Sequence, residues 1–311
     1  SRNWVIDGTF EIYTPPTFIT SKLTGETINI YVETSTGYWK YNHNGTDSIV
    51  FGNGIQTITI TNANGEFTII PCLSDGTVSG DITQLDLQGN QLISFDGTDL
   101  TSLTGLNLNN NQLTSFNGTG LSGLTGLDLQ ANQLAEFSGT GLTSLTALFL
   151  NGNQLTLFDG TGLSSLTELD LSANFLTSFN GTGLSGLTGL SLSDNQLTSF
   201  NGTGLSGLTG LELDGNLLTG LDISSLESLI NLIMNEKAGG NPLSASANDS
   251  ILDQLEANGL TDGTFLTTGG RTSAGTGDYD TLISRGWTIE GADLVSAVRK
   301  LRVKGVGQLN P

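Results

Sequence analysis

One cysteine, Cys72, and one histidine, His43, are all that the 311 residues contain of either type. A single thiol cannot close an internal disulfide, and one imidazole leaves little for metal or acid-base chemistry, so stability has to come from packing. Charge is scarce as well. Asp, Glu, Lys and Arg together make up 13% of the chain, about half the usual share, which leaves Thr, Ser, Asn, Gln and Gly to build the surface. Basic charge is the scarcer sign, with 10 Lys and Arg against 30 Asp and Glu and a net charge of -20. A surface of that sign repels phosphate, so nucleic acid and anionic membranes are poor partners for the bulk of the chain. No run of about eighteen apolar residues is present, which argues against membrane insertion. The opening Ser1-Arg2-Asn3-Trp4 does not read as a basic-then-apolar leader, as expected either if a signal has been removed or if there never was one. Apolar residues at 36%, with 43 glycines, still suffice for a core and set the chain apart from disordered sequences.

What is present is a repeat. Leu85, Leu106, Leu127, Leu148, Leu169, Leu190, Leu211 and Leu232 recur without slippage at a 21-residue spacing. Asn90, Asn111, Asn132, Asn153, Asn174, Asn195 and Asn216 follow the same ruler, as do Phe95, Phe116, Phe137, Phe158, Phe179 and Phe200, with Leu221 in the seventh place. The alternation Leu106-Asn-Leu108 puts two leucines on one face of a short strand and the residue between them on the other. A buried Asn where the strand turns away can satisfy main-chain groups that a lone turn would leave unpaired, and Phe fills the far side of the core. The remainder of a unit, as in Asn117-Gly-Thr-Gly-Leu-Ser-Gly-Leu124, is too short and too rich in glycine for a long helix, and reads as turns or a single helical turn.

The unit Leu103-Thr-Gly-Leu106-Asn-Leu108-Asn-Asn-Asn111-Gln-Leu113-Thr-Ser-Phe116 resembles the leucine-rich repeat pattern LxxLxLxxNxL, and the resemblance covers residues 81–235. It implies a mainly β and irregular solenoid with a curved parallel sheet, and a protein that binds rather than catalyses, through its concave face. Such a stack needs caps at both ends. Residues 1–80 read as an antiparallel β cap, with strands at Thr27–Glu33, Tyr38–Tyr41, Gln56–Thr61 and Phe67–Ile70. Residues 236–290 read as a small α/β module: a helix over Ala247–Asn258, a strand at Thr264–Thr267, a helix near Tyr279–Ser284 and a strand at Trp287–Ile289. The phrase from Ile251 through Asn258-Gly-Leu260, closed by Arg285-Gly-Trp287, resembles the closing module of bacterial and bacteriophage surface leucine-rich repeat proteins.

Residues 291–311 form a basic attachment tail in this reading. Arg299, Lys300, Arg302 and Lys304 against Asp293 give it +3, leaving -23 on the rest, and Leu294, Val298 and Leu301 give it an apolar stripe suited to other virion proteins.

No Ser-His-Asp or Cys-His site assembles around one histidine, read here as part of a turn at Tyr41-Asn-His43-Asn-Gly. Cys72 reads as a small buried hydrophobe. The recurrent Asn-Gly-Thr at 117, 180 and 201 fits a glycosylation pattern, but turn chemistry generates the same letters. Asp86, Asp128 and Asp170 resemble paired glycosidase carboxylates only loosely, since they stand on alternate repeats of an open face. No cofactor is expected. Calcium is the one cation to consider, at Asp194, Glu212 and Asp214, although the Asp-rich nonapeptide ladder of calcium-binding rolls is missing.

The positions that vary while the framework repeats are Asp86, Asn107, Asp128, Phe149, Asp170, Ser191 and Glu212, with Phe175 standing where Gln91, Gln112, Gln133, Gln154 and Gln196 stand elsewhere. This is the expected ligand face, for a host-surface glycan or protein. The expected setting is the virion surface of a bacteriophage, as a spike, fibre or decoration subunit. The alternatives are a secreted or cell-surface bacterial adhesin and, last, a glycan hydrolase on the acidic face.

Overall fold

The computed structural model describes residues 82–98, 100–234, 241–267 and 270–291 in full, and six strands between residues 17 and 72 by their backbone. The tail residues Leu294, Val298, Arg299, Lys300, Leu301, Arg302 and Lys304 lie outside the described residues, as do the side chains of His43 and Cys72.

The six early strands are β1 (Thr17–Thr20), β2 (Thr27–Thr34), β3 (Tyr38–His43), β4 (Thr46–Val50), β5 (Gly54–Thr59) and β6 (Glu66–Cys72). Two of them, β1 and β4, have no counterpart in the sequence reading, and His43 ends a strand, paired with Thr46 across a hairpin, instead of sitting within a turn. The repeats follow as β7 (Ile82–Asp86), β8 (Leu92–Phe95), β9 (Gly105–Asn107), β10 (Gly126–Asp128), β11 (Ala147–Phe149), β12 (Glu168–Asp170), β13 (Gly189–Ser191), β14 (Gly210–Glu212) and β15 (Asn231–Ile233). The chain closes with α1 (Ala245–Asn258), β16 (Thr264–Leu266), α2 (Thr276–Ser284) and β17 (Thr288–Glu290).

These strands make a leucine-rich repeat solenoid. Ten parallel strands, β7, β9 to β17, line up in chain order, and each repeat leucine faces its equivalent: Leu85 with Leu106, Leu106 with Leu127, and on to Leu211 with Leu232. The sheet runs past the sequence repeat at both ends. At the start, β2 pairs antiparallel with β7 and β5 with β2, while β4, β3, β6 and β1 form a second, antiparallel sheet that ends on β8. At the far end, Phe265 and Ile289 take the places of the repeat leucines on β16 and β17, so the closing segment adds two more turns of the same sheet.

Three ladders hold the coils. Asn111 shows the first: its Oδ1 accepts the amides of Asn90 and Leu92 in the preceding coil at 3.0 and 2.9 Å, and its Nδ2 donates to the carbonyls of Leu87 and Leu108. Asn241, 25 residues after Asn216, continues this ladder across an insertion by accepting from the Leu218 amide and donating to the Leu213 carbonyl. The second ladder is the phenylalanine stack, with ring centroids of Phe95, Phe116, Phe137, Phe158, Phe179 and Phe200 6.0 to 6.3 Å apart and nearly parallel. The third was not read from the sequence: Thr104, Thr125, Thr146, Thr167, Thr188 and Thr209 each donate Oγ1 to the carbonyl of the threonine one coil earlier, beginning at Thr83. Between the ladders the periodic leucines, such as Leu106, Leu108 and Leu113, are buried almost completely.

Outside the sheet each unit turns by successive three-residue bends, as in Leu121 N–H to Gly118 O and Leu124 N–H to Leu121 O. Gly120 sits there at φ +87, and a Cβ on it would fall 2.0 Å from the Thr98 carbonyl, so no other residue fits. A bend closed by Asp96, Asp159 or Asp222 is tightened further. The hydroxyl and then the amide of the residue two positions on hold each of these carboxyls below the ordinary aspartate range.

The closing segment is fastened by polar contacts of its own. Ser244 caps α1 through the Ala247 amide, Asn248 is buried and donates to the Gly270 carbonyl at 2.6 Å, Arg285 reaches both the carboxylate and the carbonyl of Glu256, and Trp287 Nε1 donates to the Leu260 carbonyl.

Candidate binding face

A strand three residues long buries its central leucine and exposes the two neighbours, so the solvent face of the parallel sheet consists of two columns. The column after each leucine holds Asp86, Asn107, Asp128, Phe149, Asp170, Ser191, Glu212 and Ile233 in register. Seven of these are the positions singled out by the sequence, and the fold brings all seven to one surface. The column before each leucine was overlooked: Gln84, Gly105, Gly126, Ala147, Glu168, Gly189, Gly210 and Asn231. The same 21-residue ruler, read one residue earlier, would have found it.

Two glycines of that second column, Gly126 and Gly210, lower the surface to the backbone, while the side chains of Gln84 and Glu168 lie across Gly105 and Gly189. A groove of about 420 Å3 runs across Gly189 and Gly210, walled by Glu168, Asp170 and Glu212. A second, of about 380 Å3, runs across Gly105 and Gly126 between Asp86, Asn107 and Asp128. Phe149 lines both and divides them. It is half-buried, with Asp128 and Asp170 in register on either side.

Phe175 does not belong to this face. It follows the ladder residue Asn174, five positions past the end of β12, where the chain has already turned away, and its amide donates to the Leu155 carbonyl while its side chain is 50% exposed.

The polar side chains of the face are oriented. Asp86 Oδ1, Asn107 Oδ1, Asp128 Oδ1 and Asp170 Oδ1 each accept the amide two residues on, at 2.9 to 3.1 Å. Asp128 Oδ2 also accepts Asn109 Nδ2 at 2.9 Å. Further along, Ser191 donates to Glu212 Oε2 at 3.0 Å and Ser193 to Asp214 Oδ1 at 2.5 Å. The carboxylates considered for calcium are thus partly engaged by serines, and no group of three or more His, Cys, Asp or Glu gathers to hold a metal among the described residues.

One electrostatic feature escaped the sequence reading. From Asp81 to Asn235 there are fourteen Asp and Glu and not one Lys, Arg or His. The carboxylates of the face therefore have no counter-charge from their own repeats.

No protein-family model and no curated protein matches the sequence. Among solved structures, the chain is similar to a leucine-rich repeat protein of Leptospira interrogans, at 24% identity and a TM-score of 0.48, over 67% of this chain and 59% of that one. It is also similar to the functional domain of InlJ from Listeria monocytogenes, which includes a cysteine ladder, at 21% identity and a TM-score of 0.32, over 55% of each chain. The chain thus spans less than two thirds of either.

Proposed function

We propose that this protein is a non-enzymatic recognition protein of a bacteriophage surface, a spike, fibre or decoration subunit that binds a host-surface glycan or protein through its sheet face. The observation that carries the reading is the contrast between a framework repeated coil after coil and the column Asp86 to Glu212, which changes along two grooves divided by Phe149. Side-chain variety on a rigid, constant scaffold serves selectivity for a partner. Binding is favoured over glycan hydrolysis by the spacing of the acids: Asp128 and Asp170 stand on either side of the Phe149 strand, each holding a backbone amide.

The particle setting rests on the closing segment. Ile251, Leu252 and Leu255 are buried, Arg285 and Trp287 fasten them, and these are the residues that resemble the closing module of bacterial and bacteriophage surface repeat proteins. Residues 291–311 would attach the subunit to other virion proteins. A secreted bacterial adhesin would use the same face in a different compartment.

The test is retention on host envelope extracts. Phe149→Ala should lower binding by about tenfold, the loss of one buried aromatic contact at an interface, while the circular dichroism spectrum is kept. Loss of binding on changing the aromatic residues of the first 80 positions, with no effect at Phe149, would move the site elsewhere. Deleting residues 291–311 should leave a folded protein that no longer labels particles by immunogold microscopy; normal incorporation would remove the attachment role.

A further inference from the structure

We infer that the partner on this face is a basic polypeptide segment, lying across the strands in a polyproline II conformation with Lys or Arg at every third residue. The inference rests on the recognition reading above and names the chemistry of the partner.

The first support is charge complementarity. Along the sheet the carboxylates fall on alternate strands, Asp86 on β7, Asp128 on β10, Asp170 on β12 and Glu212 on β14, with Asn107, Phe149 and Ser191 on the strands between. With no Lys, Arg or His between residues 81 and 235, no positive charge in the repeats competes for these acids.

The second support is spacing. Neighbouring strands lie about 4.8 Å apart, so successive carboxylates recur at roughly 9.6 Å. A polyproline II helix advances about 3.1 Å per residue with three residues per turn, which returns a side chain to the same side every ~9.3 Å. Over the three intervals from Asp86 to Glu212 the two rulers drift apart by only about 1 Å, within the reach of a Lys or Arg side chain. A β-strand returns a side chain to one face every two residues, about 6.8 Å, and an α-helix every turn, about 5.4 Å, so neither keeps step with the acids.

The third support is shape. Phe149 stands midway between the inner acids, where a guanidinium or a proline ring can lie on it, and the glycine-floored grooves to either side leave room for the segment. A polyproline II segment can set its cations against the carboxylates at this period and lay a proline ring on Phe149 from the same backbone, and this favours a polypeptide.

The experiment titrates the full chain with a labelled peptide of four Lys-Pro-Pro triplets, read by fluorescence anisotropy. Three competitors accompany it: a peptide of equal composition with its lysines at every second residue, four Lys-Gly-Gly triplets, and a fully deacetylated chito-oligosaccharide. The triplet proline peptide should bind about tenfold more tightly than each of the others and weaken steeply with added salt. The Asp128→Asn, Asp170→Asn double variant, folded by circular dichroism, should lose about tenfold, since each of the two positions surrenders one charge contact.

Equal binding of the respaced peptide would overturn the conformational claim, and tighter binding of the oligosaccharide would overturn the polypeptide claim. No binding of any probe would overturn both. If Phe149→Ala reduces retention on envelope extracts while that retention ignores salt and the peptide, the recognition reading stands and this inference falls. If Phe149→Ala leaves retention unchanged, the recognition reading itself has failed.

Discussion

Replacing Asn132 by alanine isolates what one rung of the asparagine ladder contributes. Its Oδ1 accepts the Leu113 amide at 3.0 Å, and its Nδ2 donates to the carbonyls of Leu108, Leu129 and Gln130 at 3.0, 3.1 and 3.2 Å. The four partners do not suffer equally. Leu108 O keeps the Asn111 amide group, Leu129 O keeps that of Asn153, and Gln130 O keeps the Asn110 backbone N–H. Only the Leu113 N–H is stranded in the core, so the expected cost is that of one buried unsatisfied donor, about 1 to 3 kcal/mol. Asn132→Asp is nearly isosteric and should cost more at neutral pH, because a carboxylate oxygen would face three carbonyl oxygens. Its deficit should shrink in acid, where the protonated carboxyl regains a donor. Denaturant midpoints give the totals, and amide hydrogen exchange gives the location: in Asn132→Ala the Leu113 amide should lose protection while Leu134, bonded to Asn153, retains it. Unchanged Leu113 protection would refute the ladder as a source of stability.

Phe137→Ala should cost about 3 to 5 kcal/mol in the same denaturation assay, since it opens a cavity between the Phe116 and Phe158 rings. Ala131 and Ala173 sit at φ 49 and 51, where an L side chain crowds the backbone, so Ala131→Gly and Ala173→Gly should each stabilise the fold by about 1 kcal/mol and raise the midpoint accordingly. Glycine already holds the equivalent place at 89, 152 and 215. Asp278 has its carboxyl pushed up by desolvation and then by Asp253, Glu256 and Asp249. An acid whose folded pKa is raised favours folding below its unfolded value and loses that advantage as pH rises through the folded one. Asp278→Asn should therefore stabilise the protein at neutral pH and not at pH values where the carboxyl is protonated in both states, as thermal melts across that range would show.

The solenoid was legible because its determinants are local and periodic. A leucine at 85, 106 and 127 can be buried in one way only if each coil repeats the last, and the asparagine at 111 has a partner only if a preceding coil supplies the Asn90 and Leu92 amides. The ends were less legible because what happens there is pairing between distant segments. Nothing in Thr27–Thr34 announces that it will extend the parallel sheet beside β7 while Thr17–Thr20 pairs with Leu92–Phe95. Asn241 was missed because an insertion broke the ruler, although Asn241-Pro-Leu243 keeps the local Asn-x-Leu phrase. The variable column was legible as variation against a fixed background, whereas the glycine column beside it was overlooked. A glycine carries no side chain to notice, and its effect on the face, a lowered floor, exists only once strands are placed side by side.

The acids of the face admit a folding explanation that has to be weighed against a functional one. Each of Asp86, Asp128 and Asp170 caps the amide two residues on, and a cap of that kind stabilises a turn. Asn107 makes the same bond at 3.1 Å without a charge, so the cap does not require a carboxylate. Phe149 has no oxygen in its side chain with which to make the bond at all, yet β11 keeps full register with β10 and β12, so the cap itself is dispensable to the coil. Folding therefore demands neither the charge nor its alternation. Fourteen acids without a counter-ion in the repeats repel one another, a cost to the compact state that the ladders must offset. Charge that the fold does not need and has to bear is accounted for when a partner of opposite sign meets it, and the alternation along β7, β10, β12 and β14 then describes the spacing of that partner.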